Sequence, residues 1–459
     1  MTRSWRVVVR ASRRWNAGWR VWRRGSPISG RTSRRTGSDP ARESPPAGMA
    51  GGGARDFIGV AEPAPIRRLR IAVVTPRYEE TVLGGAELHA RWLAQRLADR
   101  GHDMEVLTTC AVDGQTWRNE LPAGSTGDGN LLVRRFRAEP PRFGLRAELD
   151  RRLRWEVLVD LADEERWLRA GPNSRALEKH LARQGHSYDA VLALPYLAGT
   201  TYFSAQAVQQ RFFLIPCLHD EPFARLQFTG RLLKQSRAVL FNSDPERALA
   251  ERLFPGAIAR AHVVGLGFDP PPPTDAQLFR RNYGVSEPFI LYVGRLEPHK
   301  NVPLLIDHFL RYKSRRPGDL KLLLVGAGEC EPPPSPHLRR IEIDWADRDA
   351  MLMAALLLVQ PSTNESLSIV MMQAWACGRP VVVHAAGEVA RYHCEQGNGG
   401  LWFANYPEFE AILDRLHHDS GLAHGLGKAG QTYVQERYSW ERVLRRLEGA
   451  LGDTGVSAP

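Results

Sequence analysis

Residues 356–383 constrain the fold more than any other part of this sequence. The apolar run 356–359 is typical of a buried strand. After a short polar loop, Glu365 is expected to open a helix that stops at Gly378, and a second strand is expected over 381–383. A strand, a helix and another strand in this order predict part of a parallel sheet.

The same alternation continues through most of the chain. Strand-like runs are found at 69–75, 104–109, 131–136, 188–194, 212–215 and 238–241, and again at 289–293, 320–325, 356–359 and 381–383. Four prolines at 270–273 stand between the two series and favour a stiff, extended linker. The pattern predicts an α/β protein with two Rossmann-like, doubly wound parallel-sheet domains, at 67–269 and 274–436. The charged, helical stretch 140–186 is expected to be an insertion in the first.

The charge of the chain is concentrated at its N-terminus. The net charge is +11, and residues 1–48 hold twelve Arg and no Lys against Asp39 and Glu43, so the remaining chain is close to neutral. We therefore expect no nucleic acid as a partner. No apolar run approaches the roughly 18 residues that a membrane span requires. The five cysteines are scattered without a CxxC pair, which argues against a zinc site and favours a cytoplasmic location.

Residues 1–66 are rich in Arg, Ser, Gly and Pro and lack the apolar stretch of a secretory signal, so disorder is expected for most of them. Five large apolar residues recur at spacings compatible with one helical face: Trp5, Val8, Trp15, Trp19 and Trp22. A basic amphipathic helix of this kind would make peripheral contact with an anionic membrane. Plain disorder and a true start at Met49 are the alternatives.

Two polar side chains in the 356–383 segment are spaced to hold one elongated ligand. Glu365 and Gln373 are eight residues apart, which on a helix means about 80° of rotation and roughly 12 Å along the axis. Free N–H groups at the start of that helix would attract an anion between them. A nucleotide-sugar has this chemistry, because hydroxyl groups at both ends flank a diphosphate.

A second cluster follows the strand-like run 289–293. Arg295 and Lys300 come directly after Gly294, and Asn301 is expected to cap the next helix. Two fixed cations beside a helix N-terminus form a clamp for a diphosphate. The same groups would stabilise a departing nucleoside diphosphate.

Both clusters resemble motifs of the retaining glycosyltransferases of family 4. The donor-binding signature of that family is Pro-Ser, then Glu, seven residues and a second Glu. Here the signature is matched by 361–362, Glu365 and, as a departure, Gln373 at the second acidic position. Residues 292–301 resemble the strand-to-helix loop of the same family, and the two motifs stand in the family's order.

The resemblance extends from about residue 69 to residue 440. It implies the GT-B architecture, in which two Rossmann-like domains face a central cleft. It also implies that residues 437–459 form a final helix that crosses back to the first domain.

The resemblance implies a role for each residue of the two clusters. Glu365 would hold hydroxyl groups of the donor sugar as a catalytic residue. Arg295 and Lys300 would bind the diphosphate, and Gln373 would bind the ribose.

The resemblance also implies a role for two residues in the first half of the chain. Gly85 would approach the donor diphosphate across the cleft, and His219 would lie near the transferred sugar as a second catalytic residue. The triplet 347–349 has the Asp-x-Asp spacing of metal-binding glycosyltransferases, but capping of a helix start is the preferred interpretation. We expect no metal and no cofactor.

The expected activity is the transfer of a hexose from a nucleotide-sugar donor to a glycan, lipid or small-molecule acceptor, with retention of configuration. Two alternatives stay open. One is another GT-B enzyme, such as a nucleotide-sugar epimerase. The other is a non-enzymatic nucleotide-sugar-binding homologue, which is considered because Gln373 replaces the second Glu of the family signature.

Overall fold

The computed structural model describes residues 68–82, 84–154 and 159–452, and these form two sheets with helices on both faces. The predicted α/β class with two doubly wound sheets is confirmed. The basic N-terminal tail, with its tryptophan-bearing segment, lies outside the described residues.

The first sheet has eight strands in the order β3-β4-β2-β1-β5-β6-β7-β8. Its strands are β1 (Arg70–Val74), β2 (Asp103–Thr109), β3 (Gly124–Asp128), β4 (Leu131–Phe136), β5 (Ala190–Ala193), β6 (Phe212–Leu214), β7 (Ala238–Phe241) and β8 (Ala261–Val263). The pairing of β3 with β4 is antiparallel, and the other neighbours are parallel. The centre of the sheet is buried, since residues 71–74 of β1 are fully buried.

The second sheet has six parallel strands in the order β11-β10-β9-β12-β13-β14. Its strands are β9 (Phe289–Val293), β10 (Lys321–Val325), β11 (Leu338–Ile341), β12 (Leu357–Gln360), β13 (Val381–His384) and β14 (Gly400–Phe403). All five residues of β9 are buried, as expected for a strand covered on both faces.

Fifteen α-helices are present in the described ranges. They are α1 (Gly85–Asp99), α2 (Phe143–Arg154), α3 (Leu161–Ala170), α4 (Arg175–Gln184), α5 (Gly199–Val208), α6 (Gln227–Gln235), α7 (Asp244–Leu253), α8 (Ala276–Tyr283), α9 (Val302–Arg315), α10 (Arg348–Ala354), α11 (Ile369–Ala376), α12 (Glu388–Gly397), α13 (Tyr406–His418), α14 (Ser420–Tyr438) and α15 (Trp440–Gly452). Helices α2 to α4 occupy the stretch 140–186 that the sequence predicts to be helical. Within these ranges, none of the helices has both the length and the apolar composition needed to cross a bilayer.

Several sequence-based boundaries are wrong. The sequence predicts that Glu365 opens a helix, but α11 begins four residues later at Ile369. The turn between them is fixed by Ser368, whose φ of 68° is in the left-handed region and not helical. The strands β3, β8, β11 and β14 are missing from the sequence-based prediction. All four lie at sheet edges, and β3 is wholly exposed.

Helix α11 is held in place by one tryptophan. Trp375 is fully buried, and its Nε1 donates a hydrogen bond to the carbonyl of Gly399 at 2.7 Å. A Cβ atom on Gly430 of α14 would lie 2.2 Å from Trp375 Cδ1, so only glycine fits there. This close approach of α14 to α11 fixes the helix whose first turn faces the cavity described below.

Helix α15 packs against the first sheet. Val443, Leu447 and Leu451 lie on one buried face of this helix, which contacts α1, β7 and β8. Glu448 accepts a hydrogen bond from Arg100 Nε at 3.0 Å at the end of α1. The last described helix therefore packs on the domain formed by the first half of the chain.

We expect Leu447→Ala to destabilise the protein by about 2–5 kcal/mol, because a fully buried leucine leaves a cavity when it is truncated. Urea unfolding followed by tryptophan fluorescence measures this. Arg445→Ala on the exposed face of the same helix is the matched control and should leave the midpoint nearly unchanged. Equal effects of the two substitutions would contradict the packing of α15 on the first sheet.

Candidate active site

A cavity of about 500 Å³ lies between the carboxyl ends of the two sheets. Its walls come from loops that follow β1, β6, β9 and β12, which is where open parallel sheets bind ligands. All six site residues predicted from the sequence line this one cavity: Gly85, His219, Arg295, Lys300, Glu365 and Gln373. Residues far apart in the sequence are therefore brought together.

Lys300 and Glu365 form an ion pair at the centre of the cavity. Lys300 Nζ lies 2.8 Å from Glu365 Oε1 and also donates to the carbonyl of Asn364 at 3.2 Å. The two side chains are only 19% and 16% exposed. Burial by itself would raise the pKa of Glu365, but the charge and hydrogen bond of Lys300, with help from Ser362 and His219, hold it below its ordinary value. Glu365 is thus a carboxylate at neutral pH.

Glu365 lies in the loop before α11 and not on the helix itself. Its position relative to Gln373 therefore differs from the one that the sequence predicts. The axial offset of roughly 12 Å predicted between Glu365 and Gln373 requires a continuous helix, so it does not apply. The loop is held from the other side by Asn301, whose Nδ2 donates to the carbonyl of Pro361 at 3.0 Å. Asn301 occupies the cap position of α9, but the prediction that its side chain caps the helix is wrong.

Arg295 stands at the rim of the cavity and is already paired. Its guanidinium is 3.0 Å from Glu297 Oε2, which also lies 2.9 Å from His299 Nε2. The Arg295 side chain is 63% exposed, and its carbonyl accepts a hydrogen bond from Tyr292 at 2.8 Å. Both cations that are predicted to bind the diphosphate therefore have a carboxylate partner.

The start of α11 supplies further positive potential. Ser368 stands at the cap position without a side-chain hydrogen bond to the helix, and residues 366–370 line the cavity. The first N–H groups of an α-helix have no partner inside the helix. They and the two cations therefore make this end of the cavity attractive to an anion.

The first domain approaches this helix through Gly85. A Cβ atom on Gly85 would lie 3.9 Å from Ile369 Cδ1, so the start of α1 faces the start of α11 across the cleft. Beside it, Arg77 is paired with Glu87 at 2.6 Å and donates to the carbonyl of Val112 at 3.0 Å.

His219 follows β6 on the wall contributed by the first domain. Its Nδ1 lies 3.4 Å from Glu221 Oε1, which also accepts a hydrogen bond from the Tyr196 hydroxyl at 2.7 Å. Burial would raise the pKa of Glu221, but His219 and Tyr196 together lower it below its usual value. The imidazole is 32% exposed toward the cavity, so it is available to a ligand.

Sequence reasoning misses the residue that shapes the His219 loop. Glu246 is fully buried in the first turn of α7, and its two carboxylate oxygens accept from the backbone N–H groups of Leu218 and Asn242, each at 2.6 Å. Burial raises the pKa of Glu246 to about 8, although these hydrogen bonds act in the opposite direction. The polar residues directly after the apolar strand β7 are the sequence signal for this feature.

Hydrogen bonds from the first domain reach two parts of the second domain, the loop that follows Glu365 and helix α12. The Ser243 hydroxyl donates to the carbonyl of Ser366 at 2.8 Å, and the Tyr392 hydroxyl donates to Asp244 Oδ2 at 2.9 Å. The loop that carries Glu365 is therefore fastened to the end of β7 as well as to its own domain.

Gln373 lies on α11 between two cavities. It is 6% exposed and lines both the main cavity and a neighbouring one of about 590 Å³, which Trp345 also borders. Among the residues that the structure describes, no side-chain partner of Gln373 is found. An unused amide at this place can donate to and accept from a ligand.

The triplet 347–349 does not cap a helix with its side chains, so that prediction is wrong. Asp347 stands at the cap position of α10 but accepts instead from the Tyr283 hydroxyl at 2.8 Å. Asp349 pairs with Arg348 at 2.8 Å. In the three described ranges, no group of three or more His, Cys, Asp and Glu is arranged to hold a metal ion.

Comparison with known proteins agrees with this architecture. Residues 287–419 match the family model of the glycosyl transferases group 1. The chain is 26% identical over 400 residues to D-inositol 3-phosphate glycosyltransferase of Xylanimonas cellulosilytica. The aligned region covers 79% of this chain and 90% of that protein. The chain is 23% identical over 416 residues to an uncharacterized glycosyltransferase of Methanocaldococcus jannaschii, covering 82% and 96% of the two chains.

Solved structures share the fold at low sequence identity. HepE of Anabaena in complex with UDP and glucose has a TM-score of 0.62 at 19% identity, covering 84% of this chain and 100% of that one. Sucrose-phosphate synthase of Thermosynechococcus elongatus has a TM-score of 0.61 at 19% identity, covering 84% and 99%. The chain is a glycosyltransferase with the GT-B fold. The family match lies in the second domain, where the resemblance found in the sequence is strongest.

The Lys300–Glu365 pair gives a prediction for stability. Lys300→Met should lower the free energy of unfolding by about 1–3 kcal/mol, because Glu365 loses its cation inside a mostly buried site. Adding Glu365→Gln should recover much of this loss, and a double-mutant cycle from urea unfolding measures the coupling. Additive effects of the two substitutions would contradict the pairing.

The sign of the pH dependence follows from the lowered pKa of Glu365. In the wild type its stabilising contribution is present above the unfolded pKa of about 4.3 and is lost as pH falls through the lower folded pKa. In Lys300→Met burial instead raises the pKa, so the stability deficit should be largest near pH 7. It should begin to shrink as pH falls through that raised pKa and should shrink further as pH falls below about 4.3.

Proposed function

We propose that this glycosyltransferase transfers a hexose from a nucleotide-sugar to a hydroxyl group of a glycan or lipid-linked acceptor, with retention of configuration. The observation that carries the proposal is the Lys300–Glu365 pair beside the uncapped start of α11, in a cleft walled by both domains. One group there can bind an anion and the adjacent group can bind sugar hydroxyls.

The donor diphosphate is assigned to Arg295, Lys300 and the first N–H groups of α11. Arriving phosphate oxygens would compete with Glu297 and Glu365 for the two cations. As the bond from the sugar to the phosphate breaks, negative charge grows on the diphosphate, and these fixed groups stabilise it. Because they already supply positive charge, a diphosphate site without metal is part of the proposal.

The nucleoside is assigned to the side of the cavity where Gln373 lies. The amide of Gln373 would bind a ribose hydroxyl, and the opening toward the neighbouring cavity past Trp345 leaves space for the base. A uracil base is the first choice, because HepE was solved in complexes with UDP and with UDP-glucose.

The roles of the three carboxylates in the cavity support a mechanism in which the acceptor attacks the donor sugar on the face that the diphosphate leaves. Glu221 is held by Tyr196 and His219, and Glu87 is held by Arg77. Glu365 is assigned to hydroxyl groups of the donor sugar once the diphosphate takes Lys300, so none of the three carboxylates is proposed as a nucleophile. The acceptor oxygen would then bond to the sugar anomeric carbon as the carbon–phosphate-oxygen bond breaks. The hydroxyl proton would pass to the departing diphosphate, and His219 would bind the transferred sugar from the other domain.

The acceptor wall favours a neutral hydroxyl over a phosphorylated ring. The relative from Xylanimonas cellulosilytica is named for D-inositol 3-phosphate. In this chain, Arg77 on the first-domain wall is already bound to Glu87 and to the Val112 carbonyl, and Glu221 adds negative charge nearby. A phosphate group would have to displace these partners.

The first test is a thermal-shift measurement with UDP, GDP and ADP. UDP at about 100 times its dissociation constant should stabilise the protein by roughly 2.7 kcal/mol, and the shift should persist in EDTA. With UDP-hexose and a mixed pool of glycans, NMR of the product should show the anomeric configuration of the donor. Release of UDP without an acceptor, accompanied by an altered sugar, would favour an epimerase. Donor binding without turnover over the whole pool would favour a non-enzymatic homologue.

Two substitutions separate the diphosphate from the nucleoside. Arg295→Ala should weaken UDP and pyrophosphate alike by about 1.5–3 kcal/mol, since a charge-assisted hydrogen bond is lost. Gln373→Ala should weaken UDP by about 0.5–1.5 kcal/mol and leave pyrophosphate unchanged. Isothermal titration calorimetry measures both ligands. A loss of pyrophosphate affinity in Gln373→Ala would remove the ribose assignment.

A further inference from the structure

A cavity of about 440 Å³ in the first domain has no part in the donor site. It lies between the loop around residue 115 and the start of α2, in the size range of ligand sites. Two aromatic rings, an amide and two charged groups line it: Trp117, Phe143, Gln115, Arg146 and Asp150.

The two charged side chains on α2 can still form hydrogen bonds with a ligand. The Arg146 guanidinium stacks 4.5 Å above the Trp167 ring, and among the described residues no carboxylate lies within 4 Å of it. Burial lowers the pKa of Arg146, against the opposing effect of Asp150. Asp150 Oδ1 accepts from Trp167 Nε1 at 2.7 Å, which leaves its second oxygen for another donor.

The turn that carries Trp117 has a fixed backbone conformation. Trp117 has a φ of 54°, a left-handed conformation that is strained for a bulky residue, and such strain is concentrated at ligand sites. Asp113 holds the turn, since its carboxylate accepts from the N–H groups of Gln115 at 3.0 Å and Thr116 at 2.9 Å. Phe143 is 56% exposed although it is a large apolar side chain.

This cavity is connected to the active site by direct contacts. Arg77 lines the main cavity, and its guanidinium lies 5.5 Å above the Trp117 ring. On the other side, Trp167 stacks at 5.2 Å on Phe223, four residues after His219. The Arg77–Trp117 contact therefore makes this second cavity a neighbour of the wall that the first domain contributes to the main cavity.

We propose that the cavity lined by Trp117, Phe143, Arg146 and Asp150 binds a neutral pyranose ring of the acceptor, distal to the hydroxyl that receives the sugar. The proposal rests on the proposed function. The apolar C–H face of a pyranose packs on aromatic rings, and its hydroxyls require both donors and acceptors. Arg146 donates, Asp150 accepts and Gln115 does both, so this set fits a ring of hydroxyls.

The test uses the full chain with UDP present and a set of neutral oligosaccharides of increasing length. Microscale thermophoresis should detect binding of oligosaccharides longer than one ring. Trp117→Ala and the exposed-site variant Phe143→Ser should each weaken that binding by about tenfold or more. Trp402→Ala, which removes an exposed tryptophan 40% accessible on β14, is the matched control and should have no effect.

The outcomes separate this proposal from the donor assignment. Wild-type protein that shifts with UDP but binds no oligosaccharide, or binds it equally well in both cavity variants, overturns the acceptor subsite alone. Wild-type protein that fails to bind UDP, GDP or ADP overturns the proposed function. Binding restricted to saccharides carrying phosphate or carboxylate, and lost in Arg146→Gln, overturns the assignment of a neutral ring.

Discussion

A buried carboxylate that needs a cation is the constraint on which the rest of the site depends. Glu365 follows β12 and Lys300 follows β9, which are adjacent strands in the middle of the second sheet. Removing a charge from water is costly unless it is paired and hydrogen-bonded. The two loops therefore cannot move apart without leaving one of these charges exposed or without a partner.

The same loop is also fixed from the first domain. Ser243 binds the backbone of Ser366, and the buried Glu246 holds both the end of β7 and the loop that carries His219. Helix α15 packs on the first sheet and joins the two halves at another place. The two walls of the cleft thus share a hydrogen bond next to Glu365, which fixes the position of one wall relative to the other.

Pairing of nearly every charge in the cavity has a chemical consequence. Cations and carboxylates that hold one another stay ionised despite burial, and they present little free charge of either sign before a ligand arrives. In the proposed function, a diphosphate would displace the carboxylate partners of Arg295 and Lys300, and the released carboxylates would accept sugar hydroxyls. The start of α11 adds positive potential that needs no such exchange.

The sequence by itself determined two largely parallel sheets, because apolar runs between helices are buried in that arrangement. Motif spacing indicated four residues that line the cavity, Arg295, Lys300, Glu365 and Gln373, and the resemblance to a known family added Gly85 and His219. Only the tertiary structure decided the start of α11 at Ile369, the pairing of Lys300 with Glu365, and the partners of Asp347 and Asn301. Side chains from distant loops satisfy these polar groups, so local sequence pattern could not reveal their partners.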